Sequence, residues 1–355
     1  MEPIRAGALT IWPFGLFVAV LLLPFFLAVS RGMRKRGLAP GTASWFALLA
    51  VPLCFVLSRL GFCLFAVDQI TGSGDFGFIF RVRNGGFLLW GAVAGLLLCT
   101  KLAGKITGES GALIADAAVV PACLMIAAVR LLCGLLFEDI GIGFQLDAWF
   151  DPEETDYAYR FSLFPLEDWS FFERFPFSVE DYYGSRCWAV FVLQALSAAL
   201  IAVPLSRSEY APGGRTLRFI VLYACVSLST EAMLIGGEIV YLPWLAFVKA
   251  NEVLCAAALL VSAFVCLHRL APPRRLPAAL LFFPQLLASF GIIAAMEFAA
   301  FEKKLTVIEW LPADACHLIT GLACLWIALA FRPLCRGAYL PDSGVRPAVK
   351  RHQPA

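Results

Sequence analysis

Charge is what this 355-residue sequence has least of: Asp, Glu, Lys and Arg make up 15% of it, against about 25% in an ordinary soluble domain. Histidine is nearly absent, at three copies. No Cys-x-x-Cys pair or His/Cys group stands at metal-ligand spacing, so the sequence offers neither a metal centre nor a cofactor motif. Most of the 12 cysteines lie inside apolar runs, where cysteine behaves as a small hydrophobe rather than as half of a disulfide framework. Internal repeats and low-complexity tracts are missing too. What fills the space is apolar: 61% of the residues are hydrophobic and the mean hydropathy is +0.81. A soluble globule of this composition would leave large apolar patches in water. That excludes a soluble cytosolic enzyme, a nucleic-acid binder and a disordered chain. The expected class is all-α and polytopic in a membrane, because lipid cannot satisfy free backbone groups.

Nine apolar segments are candidates to cross ~30 Å of hydrocarbon: residues 11–30, 43–66, 86–100, 111–137, 187–205, 217–236, 250–267, 277–301 and 315–331. The first is followed, not preceded, by its basic cluster, so it reads as a retained span rather than a cleaved signal. Placing the first loop inside and alternating puts 17 of the 28 Lys and Arg residues on inner segments. This positive-inside pattern predicts an N-terminus outside and a C-terminus in the cytoplasm. Between spans, residues 138–186 form an expected extracytoplasmic lobe with 12 acids, three arginines and many aromatics. It reads either as a solvated loop with an interfacial aromatic belt or as a lobe shaping access to a site. Residues 332–355, basic and proline-punctuated, read as a cytoplasmic tail.

Charges inside the apolar runs are few, and each needs a partner or a task. They are Arg59, Asp116, Arg130, Glu231, Glu252 and Glu297, with Glu138 at a rim. Asp116 and Arg130 fall near the same helix face about 21 Å apart, at 1.5 Å per residue. Arg130, Gly134, Glu138 and Gly141 lie along one stripe if the helix continues that far. By depth, Arg59, Arg130 and Glu231 fall in the outer half of their spans. Arg130 reads either as an internal ion pair or as an anion site, since a guanidinium matches a phosphate with two parallel hydrogen bonds. Glu252 and Glu297 show no partner in the sequence and read as structural.

The ordered spacing of these pieces resembles the prolipoprotein diacylglyceryl transferase family, over about residues 8–268. Ser58-Arg59-Leu60-Gly61-Phe62 is similar to the family's Ala-Arg-Leu-Gly-Tyr. Gly85-Gly86, three residues, then Trp90-Gly91 is similar to its Gly-Gly-x-x-x-His-Gly-Gly. Asp116, Arg130 and Glu138 follow the family's signature spacing. For the family's Tyr-Gly-x-x-Arg-Phe-x-x-Glu two registers fit. One is carried by Arg218-Phe219; the other, preferred because it keeps the Tyr, the Glu and the depth, runs from Tyr223 through Ser227 to Glu231. The departures are several. Trp90 stands where the family has its His, Phe14 where it has a Tyr, Cys133 where it has an Asn, and Ser227 where it has a second Arg.

The resemblance implies transfer of a diacylglyceryl group from phosphatidylglycerol to the lipobox cysteine thiol of a prolipoprotein signal peptide. It needs no cofactor, and it places the protein in a bacterial inner (cell) membrane. It implies catalytic roles for Arg130, Glu138 and Glu231, and substrate contacts from Phe14, Arg59, Trp90, Gly91, Cys133 and Ser227. It also implies a membrane domain over 1–268 with two further helices over 269–331. The alternatives carried alongside are a catalytically silent relative that binds phospholipid or lipidated peptides, and a small-solute transporter.

Overall fold

The structure is a computed structural model that describes residues 4–6, 9–11, 13–65, 70, 76–80, 87–137, 176, 178–180, 186–207, 210–231, 233, 239–242, 245–299, 311 and 313–339. Its long elements are helices: α1 (Pro13–Lys35), α2 (Pro40–Phe65), α3 (Leu89–Thr107), α4 (Gly111–Phe137), α5 (Val190–Arg207), α6 (Gly214–Glu231), α7 (Ala250–Arg269), α8 (Pro272–Glu297) and α9 (Ala313–Tyr339). Each occupies one of the nine expected segments. Eight of them are long and apolar enough to cross a membrane. The exception is α6, whose 18 residues include Arg215, Arg218 and Glu231. It can carry them because most of its residues are buried by other helices rather than bathed in lipid.

The all-α, polytopic class holds. Among the described residues, three short two-stranded antiparallel hairpins, β1–β2 (Ile4–Ala6 and Leu9–Ile11), β3–β4 (Ser178–Glu180 and Arg186–Trp188) and β5–β6 (Ile239–Leu242 and Leu245–Lys249), stand at helix ends. A hairpin of this size satisfies its backbone groups pairwise where a helix cannot turn. Most of the expected acidic lobe lies outside the described residues.

Short turns fix the neighbours. Gly37, at φ +73°, closes α1, with its N–H donating to the Arg34 carbonyl at 3.0 Å and Leu38 N–H reaching the Met33 carbonyl. Only glycine adopts that conformation without strain. The pairing of α2 with α3 is tighter still. A Cβ on Gly95 would stand 2.7 Å from the Cys54 Cα, and one on Gly91 would strike the Leu57 carbonyl. The two backbones therefore touch through the glycines, as in other close-packed membrane helices. Ser58 ties the same pair: its hydroxyl donates to the Leu88 carbonyl at 2.7 Å, and the Leu88 N–H donates back to the Ser58 carbonyl. The main core gathers α3 to α9 around Tyr223, Leu259, Ile327 and Phe331. A second cluster packs α1 to α4 around Phe46 and Ile114.

Asp116 resolves as a cap. Its carboxylate accepts the N–H of Gly213 at 2.8 Å, the N–H of Thr216 at 2.9 Å and the Thr216 hydroxyl at 2.7 Å. It thus caps the N-terminus of α6 from another helix, satisfying orphan donors and opposing the positive end of the helix dipole. Arg36 donates to the Asp116 carbonyl at 3.1 Å. Arg36 is held below its ordinary pKa, first by burial and then by nearby Arg215. Replacing Asp116 by Ala strands two backbone donors and should lower stability by about 2–3 kcal/mol. Thermal unfolding in detergent checks this; an unchanged midpoint would remove the cap from the fold's essential contacts.

Candidate functional site

A cavity of about 910 Å³ runs between α1, α2, α3, α4, α6 and the start of α7. Leu89, Ala92, Val93 and Leu96 line it from α3, and Ala115, Val119, Ala122, Ile126 and Val129 from α4. These spacings of three and four residues turn one face of each helix inward. Along α4 the lining extends from Ala115 to Cys133, roughly 27 Å at 1.5 Å per residue. The wall is almost wholly apolar. The two charged lining residues, Arg130 and Glu231, stand at one end with Cys133, Ala250 and Asn251, while Thr100 and Thr216 lie at the other. Val51, Phe55 and Phe87 belong both to the lining and to the exposed surface of the bundle, so the cavity reaches its outside beside α2.

Arg130 is half-buried on the last turns of α4. Its guanidinium and the hydroxyl of Ser227 both face the hydroxyl of Tyr223 on α6. Tyr223 is fully enclosed, stacked on Phe219 at 5.6 Å between centroids and edge-on to Trp90 at 6.2 Å. Glu231 ends α6, 7% exposed. Its carboxylate accepts from the Asn251 side chain, and its backbone carbonyl accepts the Lys249 ammonium at 2.7 Å. One end of an apolar cavity therefore holds a cation, a carboxylate and a phenol.

A comparison with known families finds a match over residues 3–268 to the profile described as prolipoprotein diacylglyceryl transferase. The chain belongs to the prolipoprotein diacylglyceryl transferase family. Among curated relatives, the phosphatidylglycerol–prolipoprotein diacylglyceryl transferase of Frankia alni is 38% identical over 117 residues, covering 33% of this chain and 29% of the relative. That of Frankia casuarinae is 37% identical over 117 residues, covering 33% and 27%. That of Oceanobacillus iheyensis is 29% identical over 114 residues, covering 32% and 39%. The matched stretches thus span well under half the length of these relatives.

Set on this family frame, the expected site residues divide. Arg130, Cys133 and Glu231 line the cavity together. Ser227 sits behind them, 3% exposed, and touches the site through Tyr223. Of the two registers weighed for α6, the one from Tyr223 falls at the Arg130 end. Arg218 lies at the opposite end, over the Tyr210 ring and facing Arg332 and Arg336.

Three of the expected contact residues stand away from the cavity lining. Trp90 lies outside the lining, because the cavity face of α3 is set by Leu89, Ala92 and Leu96 and the indole is turned toward α6 and α7. Its buried N–H has no hydrogen-bond acceptor among the described residues and faces the soft sulfur of Cys255. Gly91 serves helix contact rather than substrate contact, being filled by the Leu57 and Ser58 backbone. Arg59, 4% exposed, does not line the cavity. Its Nε donates to the Ile79 carbonyl at 3.2 Å and its guanidinium lies over Phe62 and Phe87, the rings that do line it.

Gly134, on the same stripe as Arg130, admits a close neighbour: the Phe191 ring of α5 occupies the place of a side chain. Glu138 and the side chain of Phe14 lie outside the described residues. Sequence reasoning missed Asn251 and Lys249. Their signal was position alone, two polar residues opening an apolar run after a hairpin.

Tyr223→Phe removes the hydroxyl that faces the Arg130 guanidinium while preserving the aromatic stack. It should cost about 1.5–3 kcal/mol, the range for a polar contact to a charged group. The unfolding midpoint in detergent measures it, and Phe219→Leu serves as the packing control.

Proposed function

We propose that this chain transfers the diacylglyceryl group of phosphatidylglycerol to the lipobox cysteine thiol of a prolipoprotein signal peptide. The observation that carries the reading is the placing of Arg130 and Glu231 at one end of a long apolar cavity. A phospholipid has the same division, with an anionic phosphate at one end of apolar chains. The basic residues Arg34, Lys35, Lys105, Arg207 and Arg269 crowd the opposite helix ends. Positive charge favours the cytoplasmic face, so the Arg130 end faces the outer leaflet of the bacterial inner membrane, with the N-terminus outside and the C-terminus inside.

In this reading the lipid phosphate pairs with the Arg130 guanidinium, and Tyr223 holds that guanidinium in place. The peptide sulfur attacks the glyceryl carbon that bears the phosphate ester. A carbon–sulfur bond forms, the carbon–oxygen bond breaks, and glycerol phosphate leaves with the electron pair. Arg130 stabilises the charge that grows on that oxygen. The thiol must lose its proton to become the nucleophile. Glu231 is the acceptor within the lining, and the departing phosphate is a second one. An apolar cavity keeps water from competing for the glyceryl carbon.

The test is a reconstituted assay of lipobox-peptide alkylation in vesicles containing phosphatidylglycerol. Wild type should alkylate the peptide, and Arg130→Ala should lower kcat/KM by about 10²–10³, the scale of a lost charge-stabilising group. Equal rates in the two proteins would overturn the role of Arg130. Trp90 in the place of the family's His favours a second reading, a silent relative that binds phospholipid. Phosphatidylglycerol retained by wild type, lost by Arg130→Ala and turned over by neither would select it.

A further inference from the structure

The basic ends of α6, α7 and α9 are locked together by arginines spent on backbone carbonyls. Arg269 donates to the Pro212 carbonyl at 3.2 Å and lies over the Tyr339 ring at 4.3 Å. Arg275 donates to the Leu270 and His268 carbonyls, each at 2.8 Å. Tyr339 packs where a side chain at Gly214 would stand, and its carbonyl accepts the Ala211 N–H at 2.9 Å. A second set of arginines at this end is not spent in that way. Arg207 ends α5, Arg218 lies on α6 over the Tyr210 ring at 5.5 Å, and Arg332 and Arg336 are exposed on α9. Among the described residues none of these four has a carboxylate partner.

The four close one end of a groove on the outside of the bundle. Apart from Ile220, which lines the cavity, the half-buried residues of α6 are Arg215, Arg218, Leu222, Val226 and Ser229. Their spacings of three and four make one stripe. Thr230 takes a hydrogen bond from the Gln194 side chain of α5 at 3.0 Å, and Gly214 packs on Tyr339 of α9. Both lie about 80° from Leu222 around the helix, one on each side, at 3.6 residues per turn. The stripe is therefore a floor between α5 and α9. Its walls are apolar and exposed. Leu196, Leu200 and Val203 on α5 run into Arg207, and Leu325 and Leu329 on α9 run into Arg332 and Arg336. None of the wall or stripe residues lines the cavity.

We propose that this groove binds an anionic phospholipid of the inner leaflet, with its phosphate among Arg218, Arg332 and Arg336 and an acyl chain over Leu222 and Val226. Charge complementarity selects the occupant. An apolar partner helix would cover the walls but bring no anion, and a zwitterionic headgroup brings a cation of its own. A phosphate accepts two parallel hydrogen bonds from one guanidinium, and basic pockets between helices on the cytoplasmic side suit anionic headgroups. The site is separate from the cavity: it faces outward, lies at the end opposite Arg130, and takes half its cations from α9, beyond residue 268 where the family match ends. Only the inward orientation of these helix ends is shared with the transfer reading. A lipid held here bridges α5 and α9 across α6, the helix that carries Tyr223 and Glu231, and so braces that wall of the cavity from behind.

Native mass spectrometry of the full chain in detergent, titrated with dioleoyl phosphatidylglycerol or dioleoyl phosphatidylcholine, tests this. Wild type should retain the anionic lipid in preference to the zwitterionic one. The double variant Arg332→Gln/Arg336→Gln should weaken that retention roughly tenfold or more, the effect of two arginines at a membrane surface. Arg130→Ala in parallel separates the two sites: a lipid held in the cavity is lost with Arg130 and kept by the double variant, and the groove lipid behaves in the reverse way. In thermal unfolding, phosphatidylglycerol should raise the midpoint of wild type and of Arg130→Ala, but not of the double variant. Undiminished retention in the double variant, or equal retention of the two lipids by wild type, overturns the proposal. Inorganic phosphate matching the lipid's shift would reduce the groove to a bare anion site, and a dimer that excludes lipid would give it to a second copy; either result also overturns it.

Discussion

A guanidinium inside an apolar bundle costs ~2.5 kcal/mol or more, and the arrangement around Arg130 follows from meeting that cost. The Tyr223 hydroxyl faces it with Ser227 alongside, and Phe219 and Trp90 hold the phenol ring from two sides. This explains why α6 is the least apolar of the long helices and among the most enclosed. It carries the groups that solvate a charge, and other helices must shield it from lipid. Asp116 fixes the other end of α6 from α4, the helix that also bears Arg130. Cation and phenol are thus set by two helices joined at a capped terminus.

Much of this architecture was legible in the sequence. Apolar runs of span length locate the nine long helices among the described residues, although α3 and α9 run on past residues 100 and 331 to Thr107 and Tyr339, because hydrocarbon demands length and internal hydrogen bonding of any segment that crosses it. The clustering of Arg130, Cys133 and Glu231 was legible through depth and family spacing. The boundaries of α6 were not: the apolar run continues past Glu231 toward residues that form β5–β6, and hydropathy alone does not mark the change. The direction of Trp90 was equally hidden. A residue one step from a lining position points about 100° away from it, and only the neighbours decide which face is the cavity. The partner of Asp116 lies 100 residues away, beyond any local pattern.

The departures from the family pattern are coherent when seen in space. The Trp90 indole packs edge-on to Tyr223, and Ser227 is buried beside the same phenol. The remaining polar chemistry is displaced toward the α6–α7 connection, where Lys249, Asn251, Glu231, Glu252 and Glu297 gather. The cavity end is thus organised around the half-buried Arg130, with a separate group of acids lying beyond Glu231.

The glycine seam between α2 and α3 has a mechanical consequence. Two helices whose backbones meet at Gly91 and Gly95, and whose ends are tied through Ser58 and Leu88, behave as one stiff plate. That plate carries Phe55, Phe62 and Phe87 on the rim of the cavity. Parting it down the middle would break contacts made by main-chain atoms, which have no rotamers with which to yield. Any widening must therefore swing the plate as a unit, pivoting where the Gly111 backbone of α4 rests against Thr100 and Lys101 of α3.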